Sequence, residues 1–340
     1  DEKDLLNNNE KRFMADWQSM EESIKDSDIN LNDLFTMYEY YLLASNPKKS
    51  LTEELQDLFK DRDSNEVISK IKEFARIYKK EIFDTESKII FSLRYLRWSM
   101  YWKTIVMTAF LEKYKHMEEL LKELRRFYYL YWIAGKTLTQ IKQVSFNVIR
   151  AIKEDKHINY LKAIFNNKIE DDKIIYLVKE NIKGKEIDDE VWIKPLLIIM
   201  EYDMTDNSLS NFIKLDKELH LEHILPKKYK QYPEWNHITE VIENKWIKSI
   251  ANLTLLSGKK NIEASNSPFD KKMEKYLSGS EKNTTSFRIS QQILDDYNNN
   301  KFNQKWNENA LKERWLWVLT KLEEILNINC EDLKKAGEPS

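Results

Sequence analysis

Apolar residues recur at intervals of three and four through most of the first two hundred residues, which is the spacing of one face of an α-helix. Residues 67–82 show the pattern most clearly and predict a helix of about 18 residues. Ser64 is its predicted N-cap, because a serine hydroxyl can accept a hydrogen bond from a backbone N–H of the first turn. Ser50 and Glu53 have capping-box spacing and predict the start of a shorter helix. The chain up to about residue 203 is therefore predicted to be a succession of helices.

The pattern changes near residue 204. Leu219–Pro226 alternates apolar and polar residues and ends in proline, which predicts a strand that enters a loop. Asn252–Leu256 is a second short strand by the same criteria, and Ser267–Tyr276 has helical spacing with a proline in its first turn. Two more helices are predicted after this segment, at 290–297 and from 306 to about 327.

These elements predict a mainly α fold in three parts. Residues 1–204 form a multi-helix scaffold, residues 205–280 hold two strands and a helix, and residues 281–340 form C-terminal helices that pack on the second part. The small ββα segment is thus embedded in a helical chain.

Composition supports a helical fold with a local rather than a global binding site. The chain of 340 residues has only 5 Gly and 6 Pro, which disfavours a sheet-rich fold with many turns. Hydrophobic residues make up 41% and aromatic residues 12%, enough to build a core. The net charge is −2, so any nucleic-acid site must come from a local cluster of basic residues.

Cysteine and charge placement indicate the compartment. Cys330 is the single cysteine, which excludes a disulfide framework and a multi-cysteine zinc site. Arg94, Arg97 and Lys103 interrupt the apolar stretch Ile89–Met107, and charges this close together argue against a span across a bilayer. We therefore expect a cytoplasmic protein without membrane contact.

Two aromatic clusters invite a nucleobase-stacking interpretation, since aromatic faces bind bases with little sequence preference. Their residues also recur at helical spacing, which favours a role in the core or between helices. The clusters are Tyr95, Trp98, Tyr101 and Trp102, and Phe127, Tyr128, Tyr129, Tyr131 and Trp132.

The most informative local feature is a group of histidines. His220, His223 and His237 lie within 18 residues, and Glu222 precedes His223 directly. Between residues 214 and 276 there are 12 Lys and 9 acidic residues, so this segment is basic although the whole chain is slightly acidic. Such a local field suits a polyanion.

Three motifs follow one another in this segment. They read His-Leu-Glu-His-Ile-Leu-Pro at 220–226, Asn-Leu-Thr-Leu-Leu-Ser-Gly-Lys-Lys-Asn at 252–261 and Ser-Asn-Ser-Pro-Phe-Asp-Lys-Lys at 265–272. Together they resemble the ββα-metal His-Asn-His (HNH) nuclease motif, in the version found in the C-terminal half of GmrSD-type, modification-dependent restriction proteins. Ala251 departs from the glycine usual in that family, a loss of backbone freedom rather than of a catalytic group.

The resemblance implies a metal-dependent DNA endonuclease of restriction and anti-phage defence, with His223, Glu222, Asn252 and Asn261 as its catalytic residues. Phosphodiester hydrolysis needs a base, a cation and ligands for that cation. His223 is the predicted general base, because imidazole titrates near neutral pH. Glu222 and Asn261 supply a carboxylate and an amide oxygen for Mg²⁺ or Mn²⁺. Asn252 is expected to hold the loop whose backbone orients His223.

The remaining polar residues of the segment have open roles. His220 shares a strand face with Glu222 and contacts either the metal or a phosphate, or is structural. His237 is predicted to be a surface residue. Four lysines could contact DNA phosphates or be solvated surface residues, with neither interpretation favoured; they are Lys259, Lys260, Lys271 and Lys272.

The resemblance also implies partners. The substrate would be DNA, with modified phage DNA as a candidate. The family's N-terminal nucleotide-hydrolysing domain, known by an Asp-Gly-Gln-Gln-Arg-like motif, has no match here, so we expect a C-terminal fragment or a stand-alone relative that acts with such a domain or subunit.

Two other functions compete with the nuclease. One is a helical module that binds a protein or DNA within a defence complex and carries a silent nuclease motif; the intact motif residues disfavour it. The other is a helical nucleotide-hydrolysing enzyme, which the missing glycine-rich phosphate loop disfavours.

Overall fold

The computed structural model confirms a mainly helical chain, with one small sheet among the residues that it describes. None of the described helices combines the length and the apolar character that a membrane span requires. The described residues are 2–184, 186–205, 212–258, 261, 264, 266–277 and 287–339.

The first compact unit comprises Asp1–Tyr128 and Lys136–Asp172. A π-helical segment, Tyr78–Phe83, continues its fourth helix, and the last residues of α7 belong to the second unit. The helices are α1 (Glu2–Ile24), α2 (Leu31–Leu43), α3 (Leu51–Phe59), α4 (Ser64–Ile77), α5 (Lys88–Leu93), α6 (Ser99–Leu111), α7 (Met117–Ile133), α8 (Leu138–Lys153) and α9 (Ile158–Asp171).

Side-chain caps define the starts of these helices. The capping box predicted for Ser50 and Glu53 is present at α3. The prediction of Ser64 as the cap of α4 is wrong by one residue, because the carboxylate of Asp63 accepts the hydrogen bond from the N–H of Glu66 at 2.9 Å. Asp63 has extended backbone angles and Ser64 is already helical, as the geometry of an N-cap requires.

Aromatic side chains pack the core of the first unit. Tyr40 stacks on Tyr101 with ring centroids 5.4 Å apart, and Phe146 contacts Tyr40 edge to face at 5.2 Å. The predicted core role is confirmed for Tyr101, Trp102, Phe127 and Tyr128, which are all buried; Tyr95 and Trp98 are half-buried.

The charged side chain of Lys103 lies inside this core. The ammonium of Lys103 donates to the Tyr78 hydroxyl at 2.8 Å and to the Asp28 carboxylate at 3.3 Å. Burial lowers the pKa of Lys103, and the Asp28 charge partly offsets that effect. The lysine that interrupts an apolar run in the sequence is therefore a paired core residue.

The second compact unit comprises Tyr129–Gly135 and Lys173–Ser340. Its two strands pair antiparallel, with His220 opposite Leu256 and Glu222 opposite Thr254. The predicted order of two strands followed by a helix is present, with ends shifted by one to three residues. The elements are α10 (Ile174–Ile182), α11 (Ile193–Met204), β1 (Leu219–His223), α12 (Glu240–Trp246), β2 (Leu253–Ser257), α13 (Phe269–Leu277), α14 (Arg288–Asn298), α15 (Glu308–Leu326) and α16 (Glu331–Ala336).

The first compact unit ends at Asp172, whereas the sequence predicts the first domain boundary at residue 204. The reason is the packing of α11, which is buried along nearly its whole length and lies against β2, α14 and α15. A helix that is apolar on all sides must be covered on all sides, so α11 is part of the core that supports the strands. The domain bounds 1–204, 205–280 and 281–340 stay a prediction.

A carboxylate joins α11 to α14. The two oxygens of Glu201 accept hydrogen bonds from the backbone N–H groups of Arg288 and Ile289, at 3.0 and 2.9 Å. These N–H groups belong to the first turn of α14, which has no partner for them within the helix. A buried negative charge at a helix N-terminus also interacts favourably with the helix dipole.

We expect Glu201→Gln to destabilise the second unit by about 2 kcal/mol, because an amide NH₂ then faces a backbone N–H that loses its acceptor. For a unit of roughly 150–250 residues, a loss of about 2 kcal/mol lowers the melting temperature by roughly 4–8 °C. Glu313→Gln, at an exposed position of α15, is the control and should leave the melting temperature unchanged. Equal melting temperatures for both variants would contradict the capping role.

Candidate active site

Strand β1 directs its polar side chains to two sides of the sheet. Successive residues of a strand alternate between faces, so Glu222 and His223 point in opposite directions. Glu222 contacts Lys272 and Tyr276 of α13, and His223 contacts Asp188, which precedes α11. The two adjacent candidates therefore have separate surroundings.

Glu222 is part of a buried ion pair. Its Oε1 accepts hydrogen bonds from the ammonium of Lys272 at 2.6 Å and from the hydroxyl of Tyr276 at 3.3 Å, and Lys272 also donates to the carbonyl of His223 at 2.7 Å. Burial raises the pKa of Glu222 and lowers that of Lys272, while the opposite charge of each partner favours the ionised form. The pair ties α13 to the end of β1.

This geometry bears on two predictions. Lys272 is predicted to contact DNA phosphates or solvent, but its side chain is 0% exposed and its ammonium faces Glu222. Glu222 is predicted to be a metal ligand; Lys272 pairs with its Oε1, and the metal role stays a prediction. A divalent cation bound there would lie beside a like charge.

His220 and Asn261 meet on the same side of β1 as Glu222. The side-chain amide of Asn261 lies 3.4 Å from Nδ1 of His220. Gly258 approaches the same imidazole, and a Cβ atom at that position would come within 3.3 Å of Nε2. Because Gly258 has no side chain, there is room beside it for the imidazole of His220. The structure thus brings together two residues that lie 41 positions apart in the sequence.

His223 is held by a carboxylate that the sequence did not reveal. Its Nε2 lies 3.0 Å from Oδ2 of Asp188, and the ammonium of Lys227 pairs with the same oxygen. Burial and, to a smaller extent, the charge of Lys227 lower the pKa of His223 to about 4, against the opposing effect of Asp188. The imidazole is therefore neutral at neutral pH, which is the form that can accept a proton.

Asp188 itself is ionised. Burial opposes its ionisation, but hydrogen bonds and charges from Lys227 and His223 outweigh burial and hold the pKa of Asp188 below its ordinary value. Nothing in its local sequence distinguishes Asp188 from the adjacent Asp189, which is exposed. Only the fold identifies it.

Asn252 fixes the loop that follows β1. Its Oδ1 accepts from the N–H of Leu225 at 2.7 Å and from the indole of Trp306 at 3.1 Å, and its Nδ2 donates to the carbonyls of Leu225 and Ile247 at 2.9 and 2.8 Å. The side chain is fully buried, and both of its polar atoms have partners. The predicted loop-holding role matches this geometry.

The other candidates lie at the edge of this group. His237 is half-buried rather than on the surface, and its ring nitrogens lie 3.2 Å and 3.3 Å from the carbonyls of Glu234 and Trp306. Lys271 is exposed and pairs with Glu274 at 2.8 Å. Lys259 and Lys260 lie outside the described residues. Within the described part of the chain, no three His, Cys, Asp or Glu side chains gather as a metal-binding group.

The Lys272–Glu222 pair gives a test of this arrangement. Lys272→Met should destabilise the protein by about 3–5 kcal/mol, because it leaves a buried carboxylate without its partner. The double variant Lys272→Met/Glu222→Gln should lose less than the sum of the two single variants, since neither charge is then buried alone. Chemical denaturation measures both free energies of unfolding.

Lys271→Met is the matched control, because the neighbouring lysine is exposed; it should change the free energy of unfolding by no more than about 0.5 kcal/mol. Equal effects of the two lysine substitutions would contradict the buried pair.

Comparison with known proteins adds one relationship. Neither the curated proteins nor the solved structures include a match to this chain. Residues 169–317, which hold both strands, match the model of the family described as GmrSD restriction endonucleases, C-terminal domain, and this match confirms the resemblance that the sequence motifs carry.

Proposed function

We propose that this protein is a metal-dependent DNA endonuclease of the HNH type, with His223 as its general base. The family match over residues 169–317 supports a restriction endonuclease. The observation that carries the finer proposal is the environment of His223, a neutral and partly exposed imidazole at the end of a strand. The order of two antiparallel strands followed by α13 is also that of a ββα nuclease motif.

The chemistry follows from the two nitrogens of His223. Nε2 is engaged by Asp188, so Nδ1 is the nitrogen left to accept a proton from the attacking water. An approaching phosphate is anionic and raises the pKa of the imidazole, which strengthens the base where it is needed. His223 therefore removes the water proton while the phosphodiester bond is attacked.

Mg²⁺ or Mn²⁺ would take the amide oxygen of Asn261 and the carboxylate of Glu222, whose Oε1 also pairs with Lys272. Water and phosphate oxygens would complete the ligand set, and His220 lies beside Asn261 on the same side of β1. When bound, the ion neutralises the charge that develops on the phosphate.

Exposed lysines near the site would contact the DNA backbone. Lys271 and Lys227 have side chains that are 54% and 47% exposed, and each keeps an acidic partner on the protein. Lys259 and Lys260 stay predicted phosphate contacts. Contacts of this kind are electrostatic and independent of sequence, so binding should weaken with salt.

The biological setting is a further part of the proposal. The family match supports DNA as the substrate. Modified phage DNA as the target, a nucleotide-hydrolysing domain or subunit as the partner, and the bacterial cytoplasm as the location extend what the resemblance implies.

His223→Ala should cleave supercoiled plasmid at least about 100-fold more slowly than wild type, because it removes a positioned general base. Its DNA affinity and the salt dependence of binding should stay unchanged, since phosphate contacts come from other residues. His237→Ala, which alters a nearby histidine bonded only to backbone carbonyls among the described residues, should keep wild-type activity. Full activity of His223→Ala would remove the catalytic assignment. No cleavage by wild type would favour the interaction module with a silent motif.

Asn261→Ala should raise the Mg²⁺ concentration for half-maximal cleavage by about tenfold or more, with partial recovery in high Mn²⁺. Asn236→Ala, at an exposed position, should leave that concentration unchanged. Robust cleavage by wild type in excess EDTA, or an unaltered Mg²⁺ dependence of Asn261→Ala, would contradict the metal site.

A further inference from the structure

We propose that Asp188 is a positioning residue for His223, which keeps the imidazole in one orientation and in the tautomer that carries its proton on Nε2. This inference rests on the proposed function, because it concerns the nitrogen that His223 uses as a base. Asp188 lies in the 3-10 turn Ile187–Asp189, between α10 and α11, and thus outside all three motifs of the sequence. It would bring the helical segment before β1 into the active site.

The surroundings of Asp188 indicate a function rather than a surface ion pair. Its side chain is only 1% exposed, although the turn that carries it is short. The imidazole of His223 and the ammonium of Lys227 both contact Oδ2. Oδ1 is buried and has no hydrogen-bond partner among the described residues. A carboxylate enclosed in this way has little freedom to move, so it can hold the imidazole that it contacts in one orientation.

The charges of the three groups decide the tautomer. The ammonium of Lys227 pairs with Oδ2 and holds the pKa of Asp188 below its ordinary value against the effect of burial, so the carboxylate is ionised and can only accept. Nε2 of His223 must then carry the proton and donate it to the carboxylate. The lone pair is left on Nδ1, so the basic nitrogen is fixed before any substrate arrives.

The backbone of His223 is already held from its other side. Lys272 donates to the carbonyl of His223, and Asn252 binds Leu225 two residues later. The remaining freedom of His223 is rotation of its own side chain. The hydrogen bond to Asp188 removes that freedom, which is how a neighbouring group keeps a catalytic side chain within the narrow range that reaction requires.

This placement makes a specific kinetic prediction. Asp188 is buried and cannot contact DNA itself, so its loss should lower kcat and leave KM nearly unchanged. Loss of a residue that grips DNA would raise KM instead. A merely structural residue would change the melting temperature without changing the tautomer of His223.

The experiment compares Asp188→Ala with Asp189→Ala, an adjacent and exposed carboxylate, in the full chain. The ¹⁵N shifts of the His223 ring at neutral pH report the tautomer, and plasmid cleavage in Mg²⁺ gives kcat and KM. We expect wild type and Asp189→Ala to show the Nε2–H tautomer. Asp188→Ala should show a mixture of tautomers, a kcat lower by about tenfold or more and a KM within about twofold of wild type.

Wild-type ring shifts and wild-type kcat in Asp188→Ala would overturn the assignment, and so would an equal loss of kcat in Asp189→Ala. If Asp188→Ala does not fold, Asp188→Asn preserves the shape and is measured in the same way; it should also lower kcat without raising KM, and a wild-type kcat would overturn the inference. Failure of the proposed function looks different, because wild type itself would then leave the plasmid intact.

Discussion

Four hydrogen bonds from one buried amide hold the candidate active site together. The side chain of Asn252 joins the loop after β1, through Leu225, to the segment before β2 and to the indole of Trp306. Water cannot replace these bonds, since the amide is fully buried. The position of His223, two residues before Leu225, therefore depends on a residue that cannot touch the substrate.

Strand β1 places Glu222 and His223 in two different environments, one on each of its faces. On one side, Glu222 is closed off by Lys272 and stabilises the contact between strand and helix. On the other, His223 is neutral and partly open, with Asp188 behind it. The closed side resists unfolding and the open side can react, so adjacent residues in the sequence take unlike roles because a strand alternates its faces.

The sequence predicted the elements well, because helical spacing and alternation are local properties. The helices and the two strands are of this kind. What it missed depends on distant contacts. Asp188 lies 35 residues before His223, Lys272 lies 50 residues after Glu222, and Asn261 lies 41 residues after His220. No local pattern distinguishes a buried lysine or aspartate from the exposed one beside it, so the sequence predicts the same role for Lys271 and Lys272.

Hydrogen exchange of the Leu225 amide tests most directly whether Asn252 holds the loop after β1 as firmly as the core is held. If the hydrogen bond to Asn252 Oδ1 persists until the second unit unfolds, this amide should exchange as slowly as those of β2, by global unfolding. It should exchange far faster in Asn252→Ala. Exchange of the Leu225 amide in wild type at the rate of an exposed loop would contradict the account.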